Sequence, residues 1–373
     1  MNEMTEAAVT QLRHELHHHP ELSLHEDWTK KHLMEFIEAY TDFTIEDRGA
    51  WFYAVRYAAE NDRTREPIAF RADFDALPIR ETSGVSYASA CDGRSHACGH
   101  DGHSAALCGL AMELTGKTLH RDVYLIFQYG EEIGAGGKEC AQLIDEKGIA
   151  EVYAFHNLSG YPEGAVVIHE GLTQPASRGL TIRLEGKTSH ASNPEQGRNP
   201  SLAIAELVVY LGTLLAKPHR GMVLGAVVNI DVGTKDFGVS AGSGELSVTL
   251  RAEYEDELDQ LERSLRDKTE ELCIQDGLTP SYATSDPFPE TKNDPKCLDK
   301  VRRAAAACGM PVIEMKELWR ASEDFGYYTK ACPGAIFYLG NGETYAPLHT
   351  SGYNFNDSNL GRAADLFRAI LEE

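Results

Sequence analysis

Positive charge is scarce in this chain. Thirty-five lysines and arginines stand against 58 aspartates and glutamates, a formal net charge of −23. A field of that sign repels phosphate backbones and anionic lipid, which argues against nucleic acid or a charged membrane surface as a partner. Long apolar runs are missing too. The longest, Leu202 to Ala216, is interrupted by Glu206 and reads as a buried helix rather than a membrane span. The opening stretch MNEMTEAAV is acidic and polar, unlike a signal peptide, so a cytoplasmic protein is expected. No C-x-x-C pair occurs among the eight cysteines, which are expected to be free, mostly buried thiols. The phosphate loop G-x-x-x-x-G-K-[ST], the nucleophile elbow G-x-S-x-G and the zinc helix H-E-x-x-H are all absent. Glycine and proline, at 33 and 15 residues, stay near ordinary usage, which removes collagen-like and low-complexity readings.

What is present is a globular composition, 42% hydrophobic, over 373 residues, a length that suits two domains. Helical spacing over Thr5 to His18 and Trp28 to Ala39 precedes an apolar strand at Ile68 to Ala72. A helix at His103 to Leu114, a strand at Val123 to Gln128 and a helix at Lys138 to Lys147 follow, then short strands at Val152 to Phe155 and Ala165 to His169. Such alternation predicts an α/β layered domain with a mostly parallel sheet. The pattern changes near residue 178. Strand Leu180 to Leu184, helix Pro200 to Ala216, strands Met222 to Ile230 and Glu245 to Arg251, helix Asp256 to Ile274 and strand Ser281 to Thr284 spell βαββαβ, the split-βαβ arrangement. The α/β pattern then returns. The expectation is a catalytic domain in two parts, 1–177 and 287–373, carrying an inserted α+β domain over 178–286.

The densest chemistry lies at His96-Ala97-Cys98-Gly99-His100-Asp101-Gly102-His103. Thiolate and imidazole are good ligands for zinc-like ions, and so compact a ligand spacing points to metal. Taken singly, each residue would be an ordinary polar helix start. Glu131-Glu132 follows the apolar strand VYLIFQ directly, where α/β folds keep their sites. Neighbouring side chains in extended chain point opposite ways, so one carboxylate can hold metal while the other faces water or substrate. His156 and His349 are isolated histidines that gain weight only because the first cluster needs more ligands. Asp73, Asp75, Glu323 and Asp324 are candidates for orienting those ligands. The run His17-His18-His19 reads as a solvated helix end.

Several segments together resemble the M20 metallopeptidase family. They are LHHHPELSLHE (16–26), RADFDALPI (71–79), HACGHDGHSA (96–105), FQYGEEIGAGG (127–137), AFHN (154–157), GKTSHAS (186–192), SEDFGYY (322–328) and PLHT (347–350). The likeness is to the amidohydrolase branch, subfamily D, of aminoacylase-like, hippurate and auxin-conjugate hydrolases and N-acetyl-diaminopimelate deacetylases. It implies two divalent ions per subunit, drawn from zinc, manganese, cobalt or nickel. Cys98 would bridge them, His100 and His156 would complete one shell, and Glu132 and His349 the other. Glu131 would be the general base, Asp75 an orienting carboxylate, and His190, in the inserted lid, a donor to the substrate carbonyl. The resemblance also implies a homodimer formed through the lid. Two departures stand out: Tyr129-Gly130 replaces the family's usual Pro-Ala, and Phe237-Gly238-Val239-Ser240 stands where the lid commonly carries an asparagine. The expected activity is hydrolysis of N-acyl amino acids or related small amides by a metal-activated water. A dipeptidase on the same fold and a metal-binding protein without turnover are the alternatives.

Overall fold

The six residues Val123–Gln128 are all buried, as a strand covered on both faces must be. They run parallel to the equally buried Ile68–Asp73, in register from Ile68 opposite Val123 to Asp73 opposite Gln128. Ile68–Asp73 is also parallel to Glu151–Ser159, which is parallel to Gly334–Gly342. The sheet has eight strands in the order Thr44–Asp47, Phe52–Arg56, Val123–Gln128, Ile68–Asp73, Glu151–Ser159, Gly334–Gly342, Val166–Ile168, Val312–Glu314. Helix His100–Leu114 packs against Glu3–His18 and Ser358–Glu372 and is buried on nearly every side, consistent with its Ala- and Leu-rich sequence.

The computed structural model describes residues 1–373, which divide into two units. The α/β sheet and its helices belong to the first, made of Met1–Thr173, Thr291–Trp319 and Glu323–Glu373. The second is Gln174–Glu290 with Arg320–Ser322. It starts a few residues before the change in pattern at 178, because Ala176 and Ser177 already lie in its first strand but are both buried and do not alternate. Its sheet is antiparallel, in the order Val223–Val232, Ser243–Ala252, Ala176–Glu185, Thr279–Phe288. Counted along the chain these are strands 2-3-1-4, the split-βαβ order. Leu258, Leu261, Leu265 and Leu272 of helix Glu255–Asp276 join the core of this unit.

Three readings of the sequence need correction. Helix Ser201–Leu215 is buried on one face only, through Ala203, Ile204, Leu207, Leu211 and Leu214; Leu202 is 81% and Val209 70% exposed. A helix laid on one sheet covers only a stripe of its surface. The helix expected over 138–147 is two short pieces, Gly137–Cys140 and Gln142–Lys147. Strands Thr44–Asp47, Phe52–Arg56 and Val312–Glu314 add to those expected; they are short and flanked by polar sequence. No helix is long and apolar enough to cross a membrane.

Candidate metal centre

The parallel strands Ile68–Asp73 and Val123–Gln128 end side by side, at Asp73 and Gln128. The chain leaving the first places Asp75. The chain leaving the second turns at Gly130, φ 61°, into a single 3-10 turn, Glu131–Ile133, which carries the paired glutamates. Strand Glu151–Ser159 contributes His156. The fourth piece is the turn before helix His100–Leu114. Gly99 has φ 99°, and a Cβ there would sit 2.1 Å from Asn157 Oδ1. Only glycine permits that approach, which sets Cys98 and His100 against the strand. His349 occupies the same left-handed region at φ 59°, rare for a residue with a side chain, and its N–H donates to Ala97 O at 2.8 Å.

These segments converge on Cys98. Its Sγ is 3.4 Å from His156 Nε2 and 3.3 Å from His349 Nε2. His349 Nε2 is also 3.5 Å from Glu132 Oε2. His100 Nε2 lies 3.7 Å from Glu132 Oε1 and 3.8 Å from Glu131 Oε2. Two triads therefore share the thiol, Cys98–His100–His156 and Cys98–Glu132–His349. In each, the ligand atoms fall within 4.8 Å of one another. Hydrogen bonds fix the tautomers. His100 Nδ1 donates to Asp75 Oδ1 at 3.0 Å, and His156 Nδ1 donates to Asn157 O at 2.7 Å. His156 Nε2 thus faces the thiol, and His100 Nε2 faces the carboxylates. Asp75 is itself held by Ser23 Oγ at 2.7 Å and Glu132 N at 3.0 Å.

The donor set fits divalent cations. His100 Nε2 and Glu132 Oε1 are buried with no hydrogen-bond partner, a costly arrangement unless something else satisfies them. Burial, then the neighbouring Glu132 and Glu131, push the Cys98 thiol up. Burial, then Glu323 and Asp324, push Glu131 well up, and burial with Asp75 lifts Glu132 to about 7. Burial disfavours charge on His100, yet Asp73 and Asp75 overcome it and hold the imidazole at about 10. The cluster is short of positive charge, and a bound divalent ion reverses that logic by deprotonating thiol and imidazole alike.

The other residues singled out in the sequence lie around this centre. His103 Nδ1 bonds Asp73 Oδ1 at 2.6 Å. Arg71 is buried between Asp73 at 2.6 Å, Asp324 at 2.8 Å and Glu323 at 3.1 Å. Oxygens of Glu131, Glu323 and Asp324 fall within 4.8 Å of one another. Asp101 faces away, to Arg13 at 3.0 Å and His17 Nδ1 at 2.7 Å. His17 is not a solvated helix end, since it is fully buried and also bonds Glu81 at 3.0 Å. Arg13 and His17 are four residues apart and share the inward helix face, a spacing visible in the sequence. His96 is buried, and burial lowers its pKa to about 4. His190 lies in the second unit, exposed, on the short strand Ser189–His190 paired with Val239–Ser240.

Residues 69–373 match the model of peptidase family M20/M25/M40. An uncharacterized hydrolase of Staphylococcus saprophyticus is 30% identical over 98% of this chain and 96% of its own. The N-acetylcysteine deacetylase of Bacillus subtilis is 27% identical, covering 96% of this chain and 94% of its own. A solved Bacillus subtilis structure, described as a dinuclear metal binding peptidase from the M20 family, superposes with a TM-score of 0.83 at 25% identity, over 99% of this chain and 98% of that one. The family match spans most of the sequence, and the conserved architecture extends over both units of the fold. The chain belongs to peptidase family M20/M25/M40 and is a metal-dependent amidohydrolase.

Proposed function

We propose that this chain hydrolyses N-acyl amino acids or similar small amides, with Cys98, His100, His156, Glu132 and His349 as ligands of two divalent ions. The observation that carries the assignment is the pair of triads sharing Cys98, with His100 Nε2 and Glu132 Oε1 buried and unpartnered. Relatives named for deacetylating N-acetylcysteine and N-acetyldiaminopimelate support the substrate class. Cys98 belongs to both triads, and its sulfur would favour borderline ions such as zinc, cobalt or nickel, with manganese also in the set. Bound there, such ions supply Lewis acidity and bring the pKa of water toward 7.

The chain's own residues do the rest. Glu131 takes the proton from water, holds it at its carboxyl and passes it to the leaving nitrogen. Burial beside Glu323 and Asp324 makes that carboxyl a willing proton carrier. Asp75 keeps the His100 ring turned toward the ligands. His190 Nδ1 accepts from Ser192 N at 3.1 Å, so its proton sits on Nε2, ready to be donated to the carbonyl oxygen as charge develops there. A homodimer through the second unit is supported by strand Val223–Val232, a ten-residue sheet edge with Val228 and Ile230 exposed. A cytoplasmic location is supported by eight unpaired thiols. The test is a panel of N-acyl amino acids with added zinc, manganese, cobalt or nickel, read as free amine. Amine release that depends on metal is expected, and no release from any substrate with any metal would overturn the proposal.

A further inference from the structure

A small apolar cluster, separate from the main core, borders the Cys98 centre. Leu158 and Tyr338 are buried in it, while Met315, Trp319 and Leu348 are only partly covered. Trp319 is firmly placed. Its backbone N–H donates to Thr173 O at 2.9 Å, and its ring stands edge-on to Tyr338, 5.3 Å away at 85°. Tyr338 is in turn tied through its hydroxyl to Thr173 Oγ1 at 2.9 Å. The indole also meets the His156 ring at 5.2 Å and 63°. His156 Nε2 lies 3.4 Å and His349 Nε2 3.3 Å from Cys98 Sγ. Leu348 immediately precedes His349. An indole and a leucine therefore accompany the two histidines that reach the thiol, and both keep apolar surface uncovered. None of the charge networks around the centre uses either side chain.

We propose that Trp319, with Leu348, forms an apolar subsite for an aromatic ring carried close to the scissile amide. The inference rests on amide hydrolysis at the Cys98 centre. A ring can cover an indole by stacking or edge contact, whereas an acetyl methyl covers little of it. The subsite thus separates aryl-bearing substrates from small ones by roughly 10–100-fold in kcat/KM. The acyl group and the amino acid are the two sources of such a ring, and two matched pairs distinguish them: N-benzoyl-alanine against N-acetyl-alanine, and N-acetyl-phenylalanine against N-acetyl-alanine.

The experiment measures kcat and KM for both pairs with metal-loaded wild type, Trp319→Ala, Trp319→Phe and Leu348→Ala, together with the metal content of each. Calorimetric binding of the same compounds is measured in parallel. Wild type is expected to prefer the aryl member of one pair. Trp319→Ala should collapse that preference through KM, Leu348→Ala should reduce it, and Trp319→Phe should keep most of it. Equal activity of wild type on both members of each pair overturns the subsite while leaving amide hydrolysis standing. So does an equal loss on every substrate in Trp319→Ala, which would make the indole a prop for His156. If no substrate is turned over, the hydrolytic reading fails, and binding decides the subsite: aryl and acetyl compounds bound alike by wild type would overturn it too.

Discussion

Around Arg13 and Arg71 every buried carboxylate has a cation within reach. Asp101 faces Arg13 and His17, while Asp73, Glu323 and Asp324 share Arg71. Around Cys98, three residues before Asp101, the facing ligand groups include no arginine or lysine. Carboxylates, a thiol and imidazoles face one another there, and two buried polar atoms have no partner. The two arrangements differ in what completes them. Pairs closed within the chain hold the loops in place. The open set leaves the protein in deficit until a cation arrives, and in its absence the proton on His100, held at about 10, is the stand-in.

The strongest way to break this contrast is to remove the cation. Dialysis against a chelator is expected to abolish turnover and added divalent metal to restore it, measured as amine release alongside metal content. Full activity in a metal-free sample would erase the distinction. Next in size is the pair of glutamates. Glu131→Gln should keep its metal and lose about 10²–10⁴ in kcat, the usual contribution of a placed general base. Glu132→Gln should instead lose metal. Exchanged phenotypes would reverse the two roles.

The closed set predicts a different kind of damage. Arg13→Met takes the arginine from buried Asp101 and leaves it His17 as its remaining cation, and should cost about 3–5 kcal/mol in denaturant unfolding of the metal-free protein. Glu131→Gln, measured the same way, should be close to neutral, because burial already keeps that carboxyl protonated and an amide of the same shape replaces it. His190 belongs to neither set. His190→Ala should bind metal normally while losing on the order of 10²–10³ in kcat; a wild-type kcat would remove its role.

The contrast is sharpened, finally, by the pH dependence of metal affinity. With His100 lifted to about 10 and Glu132 to about 7, both carry protons near neutrality in the metal-free protein. Binding must expel them. Affinity should therefore rise with pH, about tenfold per pH unit for each proton displaced. Competition with a chelator at pH 6 and pH 8 reads it, and equal affinities would show that no proton is exchanged.

Much of the centre was legible before any fold was known. Cys98 and His100 stood out because ligands packed that closely are rare, and the Glu131-Glu132 pair because it follows a fully apolar strand. His156 and His349, isolated histidines, gain weight in the sequence only because the first cluster needs more ligands; the family resemblance supplied their roles. The solvated reading of His17 failed because a helix end looks alike from sequence whether it faces water or a buried aspartate. Trp319 carries no signal in the sequence, since a single tryptophan in polar sequence says nothing about its neighbours.

By itself the sequence determined which segments are strands and helices over most of the chain, the alternation that makes the sheet parallel, the βαββαβ insertion and the chemical character of the donors. These follow from periodicity, turn residues and ligand type, all properties of near neighbours along the chain. Only the tertiary structure decided which donors meet. Cys98 and His349 are 251 residues apart and Arg71 and Asp324 are 253 apart. Whether a carboxylate ends beside an arginine or beside another carboxylate depends on how strands and turns pack. That packing separates Asp101, neutralised within the chain, from Glu132, left open to a metal ion.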